Sequence, residues 1–91
     1  MTSEDTMDRS ELSRRAKALP ERFADRLDAV GLRQVREDLG AGEWGEGLDN
    51  LLAGLGTAGA AITRDERREL GELLEAVGMH GDRLDVLDVR G

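Results

Sequence analysis

Apolar residues recur at helical spacing along most of this 91-residue chain. The first run has six members, three or four positions apart: Leu12, Ala16, Leu19, Phe23, Leu27 and Val30. Such spacing predicts one face of an amphipathic helix. Because Pro20 falls inside the run and proline kinks or breaks a helix interior, we expect either a kinked helix from Ser10 to Val30 or two helices that meet near Leu19. Gly31 is expected to cap the end of this region.

The next apolar positions predict two more helices. Leu32, Val35 and Leu39 indicate a short helix that closes at residues 40–42. A longer helix is expected to begin near Glu43, because a clear apolar stripe follows at helical spacing. Its members are Trp44, Leu48, Leu51, Leu52 and Leu55. The glycine-rich segment 54–59 is expected to form a loop.

A capping box marks the start of the last helix. Thr63 and Glu66 have the spacing at which each side chain accepts a hydrogen bond from the other residue's backbone N–H. Apolar positions continue from Leu70 to Val77, and Gly78 is expected to end the helix. The tail, residues 82–89, fits either a last helical turn or a short extended segment. A sheet is not expected, because the sequence offers no partner strand.

Together these elements predict one all-α domain over residues 1–91, a small bundle of three to five helices. We expect residues 1–8 to be flexible, and residues 80–91 stay unassigned. The core is expected to include Leu12, Phe23, Leu27, Val35, Trp44, Leu48, Leu52, Leu70, Leu74 and Val77.

Composition removes several classes of function. The chain has no Cys, which excludes disulfides and thiol-based chemistry. Its formal net charge is 13 − 20 = −7, which argues against nucleic-acid binding, since phosphate affinity comes from clustered Lys and Arg. The polar N-terminus does not resemble a signal peptide, and no apolar stretch approaches the roughly 20 residues that span a bilayer. We therefore expect a cytoplasmic protein that does not bind membranes.

The negative charge is concentrated in two parts of the chain. Residues 1–36 carry seven acidic and eight basic residues, whereas residues 37–63 carry five acidic residues and no basic one. A second acidic block spans residues 69–88, where Arg83 is the one basic residue. Helical spacing places most of these acids away from the apolar stripes, on exposed faces with few internal counter-ions. Seven are candidates for contact with a basic partner: Glu37, Asp38, Glu43, Glu46, Asp49, Glu69 and Glu72.

Other candidate chemistry is weaker. His80 follows a helix C-terminus and has no nucleophile nearby in the sequence, so capping or simple exposure explains it better than catalysis. Asp82, Asp85 and Asp88 lack the arrangement of a calcium loop. We expect no enzymatic activity, no cofactor and no metal site. Trp44 is either a core residue, which its place in the apolar stripe favours, or a binding anchor.

Two segments resemble a known family. Residues 39–51, around Gly42-Glu43-Trp44, are similar to a Gly-Glu-aromatic-x-x-Ala-Leu-x-x-Leu helix start, although Gly47 stands where Ala is usual. Ile62-Thr63-Arg64-Asp65-Glu66 is similar to an Ile-Ser/Thr-x-x-Glu start, and residues 75–79 resemble a closing turn. In this order and spacing, residues 32–79 resemble small bacterial immunity proteins, including the MafI-like group and those of contact-dependent inhibition systems.

The resemblance implies that the partner is the C-terminal toxic domain of a cognate bacterial toxin. Many such toxins are nucleases with basic substrate-binding surfaces, which an acidic helical protein can occupy. The alternative hypothesis is a small helical regulatory or adaptor module, which dimerises through the Leu12–Val30 run or binds a partner helix. The oligomeric state is left open.

Overall fold

The computed structural model describes residues 7–90, and they form a small helical bundle, as predicted. Five α-helices lie in this part of the chain: α1 Arg9–Lys17, α2 Leu19–Arg22, α3 Ala29–Gly40, α4 Trp44–Ala58 and α5 Arg64–Ala76. Two 3-10 segments, Ala24–Arg26 and Gly81–Val86, follow α2 and α5. Two short strands, β1 Ala61–Ile62 and β2 Asp88–Val89, complete the fold.

The first apolar run starts on two helices, α1 and α2, that meet at Ala18, as the second of the two predicted alternatives has it, but neither helix extends to Val30. Leu27 follows a 3-10 segment, and Val30 lies on α3. Pro20 lies in the first turn of α2, where its missing N–H costs no helical hydrogen bond. The prediction that Gly31 caps this region is wrong. Asp28 instead begins α3, and its carboxylate accepts a hydrogen bond from the Gly31 N–H at 2.7 Å. Aspartate is among the best N-cap residues, so it starts a new helix before the predicted end of the old one.

Helix α4 continues through the glycine-rich segment that the sequence predicts to be a loop. It ends only at Gly59, whose φ of 63° gives the left-handed cap. The prediction is wrong because Leu55 is completely buried, and burial of an apolar face outweighs the weak helix propensity of Gly54 and Gly56.

Helix α5 begins and ends as predicted. The Thr63 Oγ1 accepts a hydrogen bond from the Glu66 N–H at 3.0 Å, and the Glu66 Oε1 accepts one from the Thr63 N–H at 2.9 Å. Gly78, with φ of 81°, follows the last turn. The capping box therefore sets the first residue of the helix.

The tail contains the one clear departure from an all-helical fold. After the 3-10 segment, β2 pairs with β1 in parallel, Ala61 with Asp88 and Ile62 with Val89. The Arg90 N–H extends the pairing by donating to the Ile62 carbonyl oxygen at 2.7 Å. The prediction of no sheet is wrong because the partner strand is only two residues long and carries no strand signal of its own.

One hydrophobic core joins the helices and the tail. Its buried side chains are Leu12, Ala16, Leu19, Phe23, Val35, Leu39, Leu48, Leu51, Leu52, Leu55, Ile62, Leu70, Leu73, Leu74, Leu84 and Leu87. Three predicted core residues, Leu27, Trp44 and Val77, are half-buried against it.

The Leu12–Val30 run does not form an exposed dimerisation face. Leu12, Ala16, Leu19 and Phe23 are all buried in the core of the single chain. Val30, the last member of the run, is 73% exposed, but it lies on α3 and not on α1 or α2. These four side chains are therefore not exposed for dimerisation in the single chain.

The prediction that residues 1–8 are flexible falls mainly on residues 1–6, which lie outside the described residues. Met7 packs against the core, and the Asp8 carboxylate caps α1 by accepting a hydrogen bond from the Glu11 N–H at 2.8 Å. These two residues, predicted to be flexible, thus have defined contacts.

Candidate functional site

The seven acidic residues predicted to face a partner divide into two groups in the structure. Asp38, Asp49, Glu69 and Glu72 have partners within the chain. The other three, Glu37, Glu43 and Glu46, are exposed and form no ion pair within residues 7–90.

Glu69 and Glu72 are held by Arg15, which reaches across from α1 to α5. The Arg15 guanidinium donates to both oxygens of Glu69, at 2.9 and 2.7 Å, and to Glu72 at 2.6 Å. It also donates to Glu11 at 3.2 Å. Arg15 holds the pKa of the Glu69 carboxyl below its ordinary value, because a bound cation favours the charged form. The expectation of few internal counter-ions is therefore wrong for Glu69 and Glu72. It missed Arg15 because 54 positions separate Arg15 from Glu69 in the sequence.

Asp49 and Asp38 also have intramolecular partners. Asp49 forms an ion pair with Arg83, which ties α4 to the 3-10 segment of the tail. Asp38 is half-buried and accepts hydrogen bonds from Asn50 at 2.6 Å and from Gln34 at 3.1 Å. The Asp38–Asn50 contact joins α3 to α4, so this carboxylate has a packing role.

The three remaining acids lie where α3 turns into α4. Gly42 takes a left-handed φ of 82° in this turn, and the Glu43 N–H donates to the Asp38 carbonyl oxygen at 2.9 Å. Glu37 therefore lies in the last turn of α3, while Glu43 and Glu46 lie at the start of α4. We call this surface, formed by Glu37, Glu43 and Glu46, the acidic corner.

Trp44 lies within the acidic corner and is half-buried. Its ring passes close to Gly42, where an added Cβ would lie 3.9 Å from the indole Cζ2. Met79, also half-buried, lies beside Gly45, the residue that follows Trp44. Part of the Trp44 side chain thus packs on the core and part is exposed. This position fits both alternatives, a core residue and a binding anchor.

The acidic corner has the chemistry of a binding surface. Exposed carboxylates accept hydrogen bonds from Arg and Lys side chains of a partner, and no basic residue between positions 37 and 63 competes for them. Within the described residues, no group of three or more His, Asp or Glu side chains is arranged to hold a metal ion. No helix in this part of the chain is both long and apolar enough to cross a membrane.

The sequence did not reveal one partly buried ion pair, between Arg26 and Glu66. Arg26 donates to both oxygens of Glu66, at 2.7 and 2.9 Å, and to the Ala61 carbonyl oxygen at 3.2 Å. The Arg26 guanidinium, assisted by the hydrogen bond from Thr63, lowers the pKa of Glu66 to about 2. Glu66 was predicted only as a helix cap, since its partner is 40 residues away.

Comparisons with known proteins add no relative. No protein-family model, curated protein or solved structure matches this chain. The resemblance to immunity proteins therefore stays a prediction from the two sequence segments.

Proposed function

We propose that this protein is an immunity protein, which binds and neutralises the toxic domain of a cognate bacterial toxin in the cytoplasm. The observation that carries the proposal is the acidic corner, whose three exposed carboxylates form no ion pair within residues 7–90 and lie beside a half-buried Trp44. Its complement is a basic surface, and a nuclease domain offers one where it binds its substrate.

The internal ion pairs narrow the proposed contact surface. Recruiting Glu69 or Glu72 would require a partner to compete with Arg15, and recruiting Asp49 would break its contact with Arg83. Glu37, Glu43 and Glu46 carry no such cost. We therefore place the toxin contact at the acidic corner, and not along the whole set of seven acids.

The corner supplies two kinds of binding energy. Its charges accelerate encounter with a basic partner, by 10-fold or more in favourable cases, and this gain falls as salt rises. Trp44 offers a large apolar surface, and Trp is enriched among residues that dominate interface energies. The charges therefore set the association rate, while Trp44 sets the lifetime of the complex.

The proposal is tested with the product of the neighbouring reading frame as the probe. A charge-reversal variant, Glu37→Lys with Glu46→Lys, is compared with a matched control, Asp65→Lys with Glu75→Lys. Both change the net charge by +4. Asp65 lies in the first turn of its helix, as Glu46 does, and Glu75 lies near a helix C-terminus, as Glu37 does.

We expect the wild-type chain to bind at low salt and to protect cells from the toxin. The corner variant should associate about 10-fold more slowly and protect less, whereas the control should change by less than about 3-fold. Circular dichroism checks that both remain folded. Equal slowing in the two variants would refute the acidic corner as the contact surface. A neighbouring product that does not bind, or that has no toxic domain, would overturn the immunity function.

A further inference from the structure

Residues 81–90 turn back along the helices after α5, and we call them the strap. Within the strap, Leu84 is buried against α5, and Leu87 is buried as well. Arg83, next to Leu84, forms an ion pair with Asp49 of α4. Because the buried leucine fixes the neighbouring backbone, the Arg83 guanidinium is held close to Asp49 although the ion pair lies at the surface.

Asp49 lies about one helical turn beyond Glu46, a member of the acidic corner, on the same helix. Residues three positions apart are neighbours on a helix surface, with Cβ atoms roughly 5–6 Å apart. The side chains of Arg83 and Asp49 remain 43% and 49% exposed. Without Arg83, Asp49 would therefore add a fourth carboxylate to the acidic corner and extend it along α4.

Arg83 is placed as an internal competitor for a basic ligand. Among the ion pairs of residues 7–90, its contact with Asp49 is the one that reaches the acidic block of residues 37–63. A group tethered beside its binding site acts at a high effective concentration, so it excludes weak ligands from that site. An exposed ion pair contributes little free energy, however, so a ligand with several basic groups can displace it.

We propose that residues 81–90 form an autoinhibitory strap, in which Arg83 occupies Asp49 in the way that a basic side chain of the partner does. The free chain then displays three carboxylates, and displacement of Arg83 gives the partner a fourth. The inference rests on the proposed function for the identity of the partner, but the masking of Asp49 is tested without the toxin.

The probe is acetylated and amidated hexa-arginine, and its binding is followed at 0.1 M salt through the fluorescence of Trp44, the one Trp of the chain. We expect Arg83→Gln to bind the probe about 3-fold more tightly than the wild type, because Asp49 is then unpaired. Arg83→Lys keeps the cation and should stay within about 1.5-fold of the wild type.

The matched control is Arg67→Gln, which removes the same charge from an ion pair on the other side of the strap, with Asp85. The C-terminal end of α5 faces the acidic corner, since Met79 lies beside Gly45. Arg67 lies about 14 Å from that end along the helix axis, and at 0.1 M salt such a separation exceeds the screening length of about 10 Å. The control should therefore change the affinity by less than about 1.5-fold.

A double-mutant cycle tests whether the gain comes from Asp49. In a chain with Asp49→Asn, the further change Arg83→Gln should bring no tighter binding, because the masked group is gone. The strap is refuted by a gain that persists in this background, by an equal gain in Arg67→Gln, or by hexa-arginine that binds neither the wild type nor Arg83→Gln. If the cycle gives the expected result but the neighbouring product does not bind, the masking stands and the immunity function alone is overturned.

Discussion

Gly47 has no Cβ, and this allows α3 and α4 to pack closely at this position. A Cβ at this position would lie 2.4 Å from Leu39 Cδ2 and 2.7 Å from Leu39 Cγ. Leu39 is completely buried, so a shift of its side chain away from Gly47 would disturb the core. The absence of a side chain at Gly47 is therefore a packing feature, which the sequence alone did not reveal.

We predict that Gly47→Ala destabilises the fold by up to about 2 kcal/mol. Overpacking of the Leu39 contact costs about 1–3 kcal/mol, against the roughly 1 kcal/mol that Ala gains over Gly in helix propensity. The matched control is Gly56→Ala in the same helix, where a Cβ meets nothing within 4 Å. That change should stabilise by about 0.5–1 kcal/mol. Urea denaturation measures both, and equal stabilisation in the two variants would contradict the close contact at Gly47.

At the scale of elements, local signals in the sequence identify starts and stops better than extents. The pair Thr63 and Glu66 predicted the first residue of α5, because both partners of the cap lie within one turn. The extent of α4 was missed, because it depends on burial of Leu55 by residues distant in the chain. The β1–β2 pair was missed for the same reason: each strand exists only through the other.

The tail is a structural element despite its lack of a strong pattern. Leu84 is 1% exposed and lies against Gly71 of α5, whereas Val86, two residues later, is 80% exposed. We predict that Leu84→Ala costs about 2–4 kcal/mol, since it removes a buried side chain and leaves a cavity. Val86→Ala should change the free energy of unfolding by less than about 0.5 kcal/mol.

Urea denaturation of the two variants tests whether the tail belongs to the core. Amide hydrogen exchange adds a second measurement, because Leu84→Ala should also accelerate exchange at the Arg90 N–H, which donates to Ile62. Similar stabilities of the two variants would show that residues 81–90 do not pack as described.

Across the whole molecule, the sequence located the charge but not its pairing. The block from Glu37 to Asp49 was predicted as acidic, and three of its five acids do lie exposed without an ion pair in the described residues. The block from residue 69 was predicted as equally free, yet four of its six acids form ion pairs. Arg15 pairs with Glu69 and Glu72, Arg67 with Asp85 and Arg90 with Asp88. Linear charge counts cannot show a cation that the fold brings from another helix. The sequence therefore located the exposed acids Glu37, Glu43 and Glu46, but it could not show the ion pairs that the fold gives to Asp49, Glu69 and Glu72.

The ion pair of Arg26 and Glu66 makes stability depend on pH. It ties the Ala24–Arg26 segment to the start of α5, and Glu66 is 7% exposed. Because the pKa of Glu66 falls from 4.5 to about 2 on folding, its charge stabilises the native state above pH 4.5. Because each unit by which the pKa changes corresponds to roughly 1.36 kcal/mol, this contribution is about 3 kcal/mol. It is lost as the pH falls from 4.5 to about 2.

We predict that Glu66→Gln destabilises the protein by about 3 kcal/mol at pH 7, and that its difference from the wild type shrinks as the pH falls from 4.5 to 2. Asp65→Asn is the control, since this neighbouring carboxylate is exposed and its one ion pair among the described residues is with exposed Arg68, a contact that contributes less than about 1 kcal/mol. Denaturation curves at several pH values measure both variants. A Glu66→Gln difference that stays constant with pH would mean that the loss of stability does not come from the charge of Glu66. A shrinking difference, with Asp65→Asn unchanged, would assign the acid-sensitive part of the stability to the pair with Arg26.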